Sequence, residues 1–460
     1  MTGSMWIPWS GERKCGDRVW SLKNGNKVKN SVTTEQVHSE SCVKSELSNK
    51  PRVAMVVTRS LSEDSSISRV RILRTIREMF EGEFDTTVFR VRNVVEAGRA
   101  REFIAASWMF CVGMASLRFV PLQCALFGAS SVIAELTRQI ADGRYDVVYL
   151  DSVRSLGLLR SLHKRRLKIR VVVDFDDLMS RRMEIMAENR WPVSLGYLQN
   201  KIPKSIRNAV EGWLSGAIVK YEARALRCVE KEICRNANAV VLVSPAERDM
   251  LRRRLTPDAD ADVCAVIPSR RVVTSQICVR APYRFVFIGS DIHGQNKLSL
   301  EFLVDLWREV RPSAPLHIYG RQKSSWPTVR NVHWCGYVEQ LREVYSDDSI
   351  ALLPALRAGG IKTKMIEAWA YARPVLANPT AFEGLEGLES RGYPLVVSES
   401  AWASYILSPE AYQDNLRCAA EMGNSFVREE LSMERYVAQW LQIMWPRENS
   451  LDCGEEVGAC

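Results

Sequence analysis

Short, continuous apolar runs alternate along the chain with stretches of helical periodicity, a pattern expected of parallel strands buried on both faces and joined by helices. Arg52–Thr58 (RVAMVVT), Tyr145–Leu150 (YDVVYL), Ile169–Asp174 (IRVVVD) and Ala239–Ser244 (AVVLVS) read as strands. Helices are expected from about Ile67 to Phe80, capped by Ser65 or Ser66, around Leu156–Leu162, over Ala209–Ala237 and over Pro245–Arg254. Arg271–Pro282 then reads as a linker, after which Tyr283–Gly289 (YRFVFIG) starts a second sheet. The alternation predicts an α/β protein of two Rossmann-like doubly wound domains, over residues 51–275 and 276–430. A disordered, polar extension over 1–50, an amphipathic helix within 431–446 and a tail over 447–460 flank them.

The chain is organised around Ala351–Leu385, ALLPALRAGGIKTKMIEAWAYARPVLANPTAFEGL. Apolar positions at helical spacing run through Ile361, Met365, Ala368, Trp369 and Ala372, and Pro374 stops the helix before Val375–Ala377 restarts as a strand. In open α/β sheets ligands sit at the carboxyl ends of strands, where a helix N-terminus offers free N–H groups and partial positive charge. Gly359 and Gly360 let an anion approach the backbone there, and Lys362 and Lys364 add charge at a helix start that the dipole alone would disfavour. Glu367 shares a helical face with Lys364, where it can pair with that lysine or accept from sugar hydroxyls. A solvated Lys/Glu helix following a glycine turn is the plainer alternative.

Acidic residues gather at a second strand end, Asp174-Phe175-Asp176-Asp177, followed by Arg181 and Arg182. They read either as helix-capping and ion-pairing groups or as groups facing a reacting substrate. Asp347–Asp348 is expected to end a surface helix. The most apolar region, Phe103–Leu136, is divided by Arg118, Pro121 and Gln123 into pieces too short to span a bilayer, and is expected to be a buried helix pair or an attachment to an anionic membrane surface.

At 460 residues the chain accommodates two domains with full cores. Its net charge of +9 calls for an anionic partner, but no basic block is interleaved with aromatics, which argues against a nucleic-acid reader. The 12 cysteines form no CxxC pair and no Cys/His metal spacing, and read as free thiols of a reducing compartment. No apolar leader opens the chain, so a cytoplasmic location is expected.

The run GGIKTKMIEAWAYARPVLANPTAFEGL resembles the donor-binding signature of the family 4 glycosyltransferases, retaining enzymes of the GT-B fold whose two Rossmann-like domains face a cleft. The resemblance implies a nucleotide-sugar donor, no cofactor or metal, transfer to a glycan or lipid-linked acceptor in polysaccharide biosynthesis, and a role for Glu367 in holding the nucleotide ribose. It also implies that the turn before Asn296 and Lys297 faces the diphosphate, with Arg321 as a second cation, that Gly336 covers the base, and that the last helix crosses back to the first domain. Asn296 is expected just before its helix, as a cap. Asp176 stands where many relatives carry a histidine facing the reacting sugar, which makes Asp176 and Asp177 the candidate acceptor-side catalytic residues.

One departure is plain. Relatives commonly carry a glutamate eight residues before Glu367, where it contacts the donor sugar; here that position is Gly359. A GT-B nucleotide-sugar epimerase and a nucleotide-sugar-binding protein without turnover therefore stay open beside the transferase. Peripheral attachment at the inner membrane face is expected from the basic charge and the Phe103–Leu136 region.

Overall fold

The structure is a computed structural model, and it describes residues 50–446 apart from 63–67, 95, 97–99, 117–119, 192–207, 209–210, 213, 258, 292–293 and 358. The expected extension over 1–50, except Lys50, the tail over 447–460 and the caps Ser65 and Ser66 lie outside the described residues. The first sheet and its helices run β1 (Arg52–Val57), α1 (Ser68–Glu83), β2 (Asp85–Arg90), α2 (Ala100–Ser116), α3 (Leu122–Leu126), α4 (Ser130–Asp142), β3 (Val147–Asp151), α5 (Leu156–Lys164), β4 (Arg170–Asp176), α6 (Met179–Glu188), α7 (Ser215–Asn236), β5 (Ala239–Leu242), α8 (Pro245–Arg254) and β6 (Asp262–Ala265). The second runs β7 (Arg284–Ile288), α9 (Gly294–Val310), β8 (Leu316–Tyr319), β9 (Val332–Gly336), β10 (Ser349–Leu353), α10 (Thr363–Ala370), β11 (Val375–Ala377), α11 (Glu386–Glu389), α12 (Trp402–Leu407), α13 (Gln413–Glu430) and α14 (Met433–Met444).

The strand order is β2-β1-β3-β4-β5-β6 in the first sheet and β11-β10-β7-β8-β9 in the second. Every pairing between these strands is parallel. Each order reverses direction once, between β1 and β3 and between β7 and β10, and at such a reversal neighbouring crossovers leave on opposite faces and open a crevice at the strand carboxyl ends. Two parallel sheets flanked by helices, each with its own switch point, make the two-domain GT-B architecture.

Several local expectations change. The Phe103–Leu136 region is three helices, because Pro121 starts a separate turn of helix after the break at α2. Two strands, β2 and β6, were not anticipated. β2 is half-buried at the sheet edge and shows no continuous apolar run, and β6 is an edge strand of only four residues. Asp347–Asp348 do not end a helix: they precede β10 and pair with Arg373 and Arg284. Asn296 lies inside the first turn of α9, which begins at Gly294, rather than before the helix.

The chain closes on the first domain. α14 follows the second sheet, yet its Tyr436, Trp440, Ile443 and Met444 are buried against Val53, Met55, Phe80 and Tyr149. Trp440 meets Phe80 edge-on at 6.0 Å between ring centres and Tyr149 at 5.8 Å. A buried tryptophan held by two rings contributes both area and ring geometry. Trp440→Ala is expected to destabilise the protein by about 3–5 kcal/mol, the range for truncating a large buried aromatic. Urea unfolding measures it, and Trp440→Phe should recover much of the loss.

Candidate functional site

The carboxyl ends of β1, β3 and β4 form the wall contributed by the first domain. Asp151, at the end of β3, accepts from the Thr58 hydroxyl at 2.7 Å and the Thr58 amide at 3.2 Å. Arg69, from the first turn of α1, reaches down to Asp151 at 2.8 Å, Asp174 at 2.9 Å and Asp176 at 3.3 Å. The Tyr149 hydroxyl donates to Asp174 at 2.6 Å. Burial alone would lower the Arg69 pKa, but the Asp174 and Asp176 carboxylates outweigh it and hold the guanidinium charged. One buried cation thus offsets carboxylates that could not otherwise be buried together.

Asp176 is the member of this group that reaches the cleft, its side chain 28% exposed against 3% for Asp174. The sheet register shifts between Asp174 and Asp176, and Asp176 adopts a left-handed backbone (φ 64°) with its amide donating to Asp174 Oδ1 at 2.9 Å. A non-glycine residue in that region is sparsely populated and is found where the surroundings over-determine it. Burial pushes the Asp176 carboxyl up to about 7, helped by Asp177 and Asp174 and opposed by Arg69. Such a group exchanges a proton near neutral pH. Asp177 pairs at 3.5 Å with Arg182.

The second wall is the crevice between β7 and β10. The loop after β10 is held at its start by the Ser299 hydroxyl, which donates to the Pro354 carbonyl at 2.7 Å, and by the Asn378 side chain, which exchanges two 2.8 Å bonds with the Ala355 backbone. Gly359 (φ 134°) and Gly360 (φ 63°) then turn in conformations L side chains rarely adopt. A Cβ on Gly360 would also lie 3.1 Å from Asp177 Oδ1, so the glycines let the loop approach the first domain.

The lysines do not project freely into the cleft. Lys362 precedes α10 and donates to the Gly359 and Gly360 carbonyls at 2.5 and 3.0 Å. Lys364 donates to Asn296 Oδ1 at 2.8 Å over the Phe287 ring, and Asn296 in turn donates to the Ser290 carbonyl at 3.0 Å. Burial lowers both ammonium groups, Lys364 to about 8. They stiffen the crevice and set its charge. Glu367 is not paired with Lys364: its Oε1 pairs with Arg71 of α1 at 3.2 Å and with Arg270 at 3.0 Å.

Three sequence candidates lie further from the loop. Lys297 is half-exposed and 4.0 Å from Glu301, beside a surface groove shared with Arg308 and Trp326. Arg321 stacks over the Tyr337 ring at 4.9 Å. Gly336 (φ 72°) ends β9, where its carbonyl accepts the Gly320 amide at 2.7 Å.

The structure brings further residues to these walls. Arg69, Arg71, Arg181 and Arg270 carry the positive charge of the cleft, and Glu383, from the turn after β11, meets both walls: it accepts from the Gly359 amide at 2.6 Å and pairs with Arg181 of α6. Ser244 caps α8, its hydroxyl accepting from the Glu247 amide at 3.4 Å. Among the described residues no cluster of His, Cys, Asp and Glu is arranged to hold a metal ion.

Residues 68–269 match the family model of a glycosyl transferase 4-like domain, and residues 282–408 that of the glycosyl transferases group 1. The two models meet the chain on either side of the Arg271–Pro282 linker. Among solved structures, Anabaena HepE in complex with UDP and glucose superposes with a TM-score of 0.53 at 10% identity, over 85% of this chain and 98% of that one. A trehalose-6-phosphate synthase studied with bisubstrate glycomimetics gives a TM-score of 0.53 at 9% identity over the same shares. At these identities the likeness is one of fold. No curated protein sequence matches the chain.

The raised Asp176 carboxyl makes a pH prediction. Its folded-state pKa of about 7 lies above the ordinary value of 3.8, so the stability it contributes is fully present below pH ~4 and is lost as pH rises through about 7. Burial raises Glu222, Glu230 and Glu247 to about 7 as well, so the readout is the difference between proteins. Asp176→Asn, which tolerates the left-handed backbone, should show a shallower fall in urea midpoint between pH 5 and 8 than the wild type. Parallel curves would show that Asp176 does not titrate there.

Proposed function

The chain belongs to the family 4 glycosyltransferases of the GT-B fold, and we propose that it moves a sugar from a nucleoside diphosphate donor to a glycan or lipid-linked acceptor, with retention and without a metal or other cofactor. The observation that carries the reading is the β10–α10 crossover at the second switch point, where a double-glycine loop, a helix N-terminus and Glu367 converge. A leaving nucleoside diphosphate develops negative charge, and backbone N–H groups fixed at that place stabilise it without reorganising. Buried Lys364 and the loop-bound Lys362 lend positive potential from below. Glu367 is then the acceptor for ribose hydroxyls, exchanging its guanidinium partners when the nucleotide enters.

Asp176 and Asp177 are the acceptor-side groups in this reading. Asp176 sits at a strand end, partly open to the cleft, with a carboxyl that can hold or release a proton near pH 7. Metal-independent transfer is supported by the engagement of Asp174 and Asp176, the chain's DxD spacing, with Arg69 rather than with the donor loop. EDTA should therefore leave turnover unchanged.

For the membrane, no described helix is long and apolar enough to cross one. Peripheral attachment at the cytoplasmic face is supported by α2, where Ile104 and Trp108, one turn apart, are 66% and 71% exposed, beside exposed Arg101. An assembly step of an envelope polysaccharide on a lipid carrier fits such a surface.

The test is incubation of the protein with a panel of nucleotide sugars, starting with UDP-glucose, the ligand of one HepE structure, while nucleoside diphosphate release is followed. Release that depends on a glycan or lipid-linked acceptor supports transfer; binding without release under every acceptor overturns it. Glu367→Ala should weaken donor binding by about 1–3 kcal/mol, the cost of losing a charged hydrogen-bond acceptor. Calorimetry measures this, and an unchanged affinity would remove Glu367 from the site.

A further inference from the structure

Resting on the donor reading above, we propose that Glu383 is the specificity-determining carboxylate that holds hydroxyl groups of the donor sugar, in the place left empty at Gly359. The chain reaches this point by a separate route. After β11 a 3-10 turn, Pro379–Phe382, carries it back across the carboxyl edge of the sheet, and Glu383 is the next residue. Its backbone is extended (ψ 120°), and the turn is closed by Gly384 (φ 82°). A Cβ on Gly384 would stand 2.8 Å from Ser244 Oγ and 3.0 Å from Ile361 Cγ1, so the turn is wedged between the first domain and the base of the glycine loop.

Glu383 therefore has little freedom. One carboxylate oxygen accepts the Gly359 amide at 2.6 Å and the other pairs with Arg181, and the side chain is 11% exposed. A carboxylate that accepts from one amide and pairs with one guanidinium keeps lone pairs for further donors. It lies at the glycine end of the loop, ahead of the α10 N-terminus where the diphosphate is read. Asp177 covers the adjacent Gly360. A phosphate has no hydrogen to give to these carboxylates, whereas a sugar bears several hydroxyl donors. The chemistry at this end of the loop therefore suits a sugar, and it comes from the first carboxylate beyond β11 rather than from the loop itself.

The experiment is calorimetric titration of wild type, Glu383→Gln and Glu383→Asp with UDP-glucose, UDP-galactose, UDP-N-acetylglucosamine and GDP-mannose, each beside free UDP or GDP. For whichever donor the wild type binds, Glu383→Gln should lose on the order of tenfold more affinity for the nucleotide sugar than for its free nucleoside diphosphate, with Glu383→Asp between them. An equal loss for both ligands would make Glu383 only a brace of the loop, and no loss for either would remove it from the site; both overturn the proposal. If Glu383→Gln does not fold, Glu383→Asp decides by the same ratio. A wild type that binds none of the donors brings down the donor reading and this inference with it, and that failure is visible before any substitution is made.

Discussion

Pairing between guanidinium groups of the first domain and glutamates of the second is the constraint on which the cleft depends. Arg71 and Arg270 converge on Glu367, and Arg181 meets Glu383. The carboxylates are buried to within about a tenth of full exposure, so leaving either without a partner would cost several kcal/mol. The net gain from each pair is smaller than that, because the arginines also lose water. Their consequence is geometric: Glu367 of α10 and Glu383 of the turn after β11 are already aimed by groups from the facing wall. On the proposed reading, a nucleotide that takes Glu367 would displace or share these partners, which would couple donor binding to the closeness of the two walls.

A second buried charge group sets the opposite wall. Arg69 holds Asp151 and Asp174 almost wholly away from solvent and leaves Asp176 as the carboxylate that opens to the cleft. The division follows from the sheet. Asp151 and Asp174 end adjacent strands in register, whereas the irregularity after Asp174 swings Asp176 outward. Two carboxylates two residues apart thus take different roles, one structural and one available to chemistry, because their environments differ.

The periodic part of this architecture was legible in the chain. The runs at Arg52, Tyr145, Ile169, Ala239 and Tyr283 are strands, and Pro245–Arg254 is a helix. The crossover from Ala351 to Leu385 could be read because Gly-Gly, helical spacing and Pro374 are local signals. The ion pairs could not, since Arg71 and Glu367 stand 296 positions apart and pair only once both sheets exist. Arginines spread through a basic chain look like solvated surface, and nothing local distinguishes Arg69 from Arg77, which pairs with Glu81 on an exposed helix face. The lysines misled for a related reason. A cation at a helix start asks for an anion, but here Lys362 finds backbone carbonyls and Lys364 an asparagine, and neither partner is predictable from spacing.

Left-handed backbone lies on both sides of the cleft, adopted without strain by the two glycines and with strain by Asp176. Gly359 and Gly360 turn through positive φ on one wall, and Asp176 does so on the other, next to the Asp177 that touches Gly360. Relaxing Asp176 to an ordinary extended conformation would redirect its side chain away from Arg69. A side chain on Gly360 would push Asp177 back and open the gap. The strained Asp176 is held by Asp174 and Arg69 of its own wall, and its neighbour Asp177 limits what can stand at Gly360. On the proposed donor reading, a loop preorganised in this way would lose little entropy on taking an anion, whereas mobile lysines would first have to be ordered.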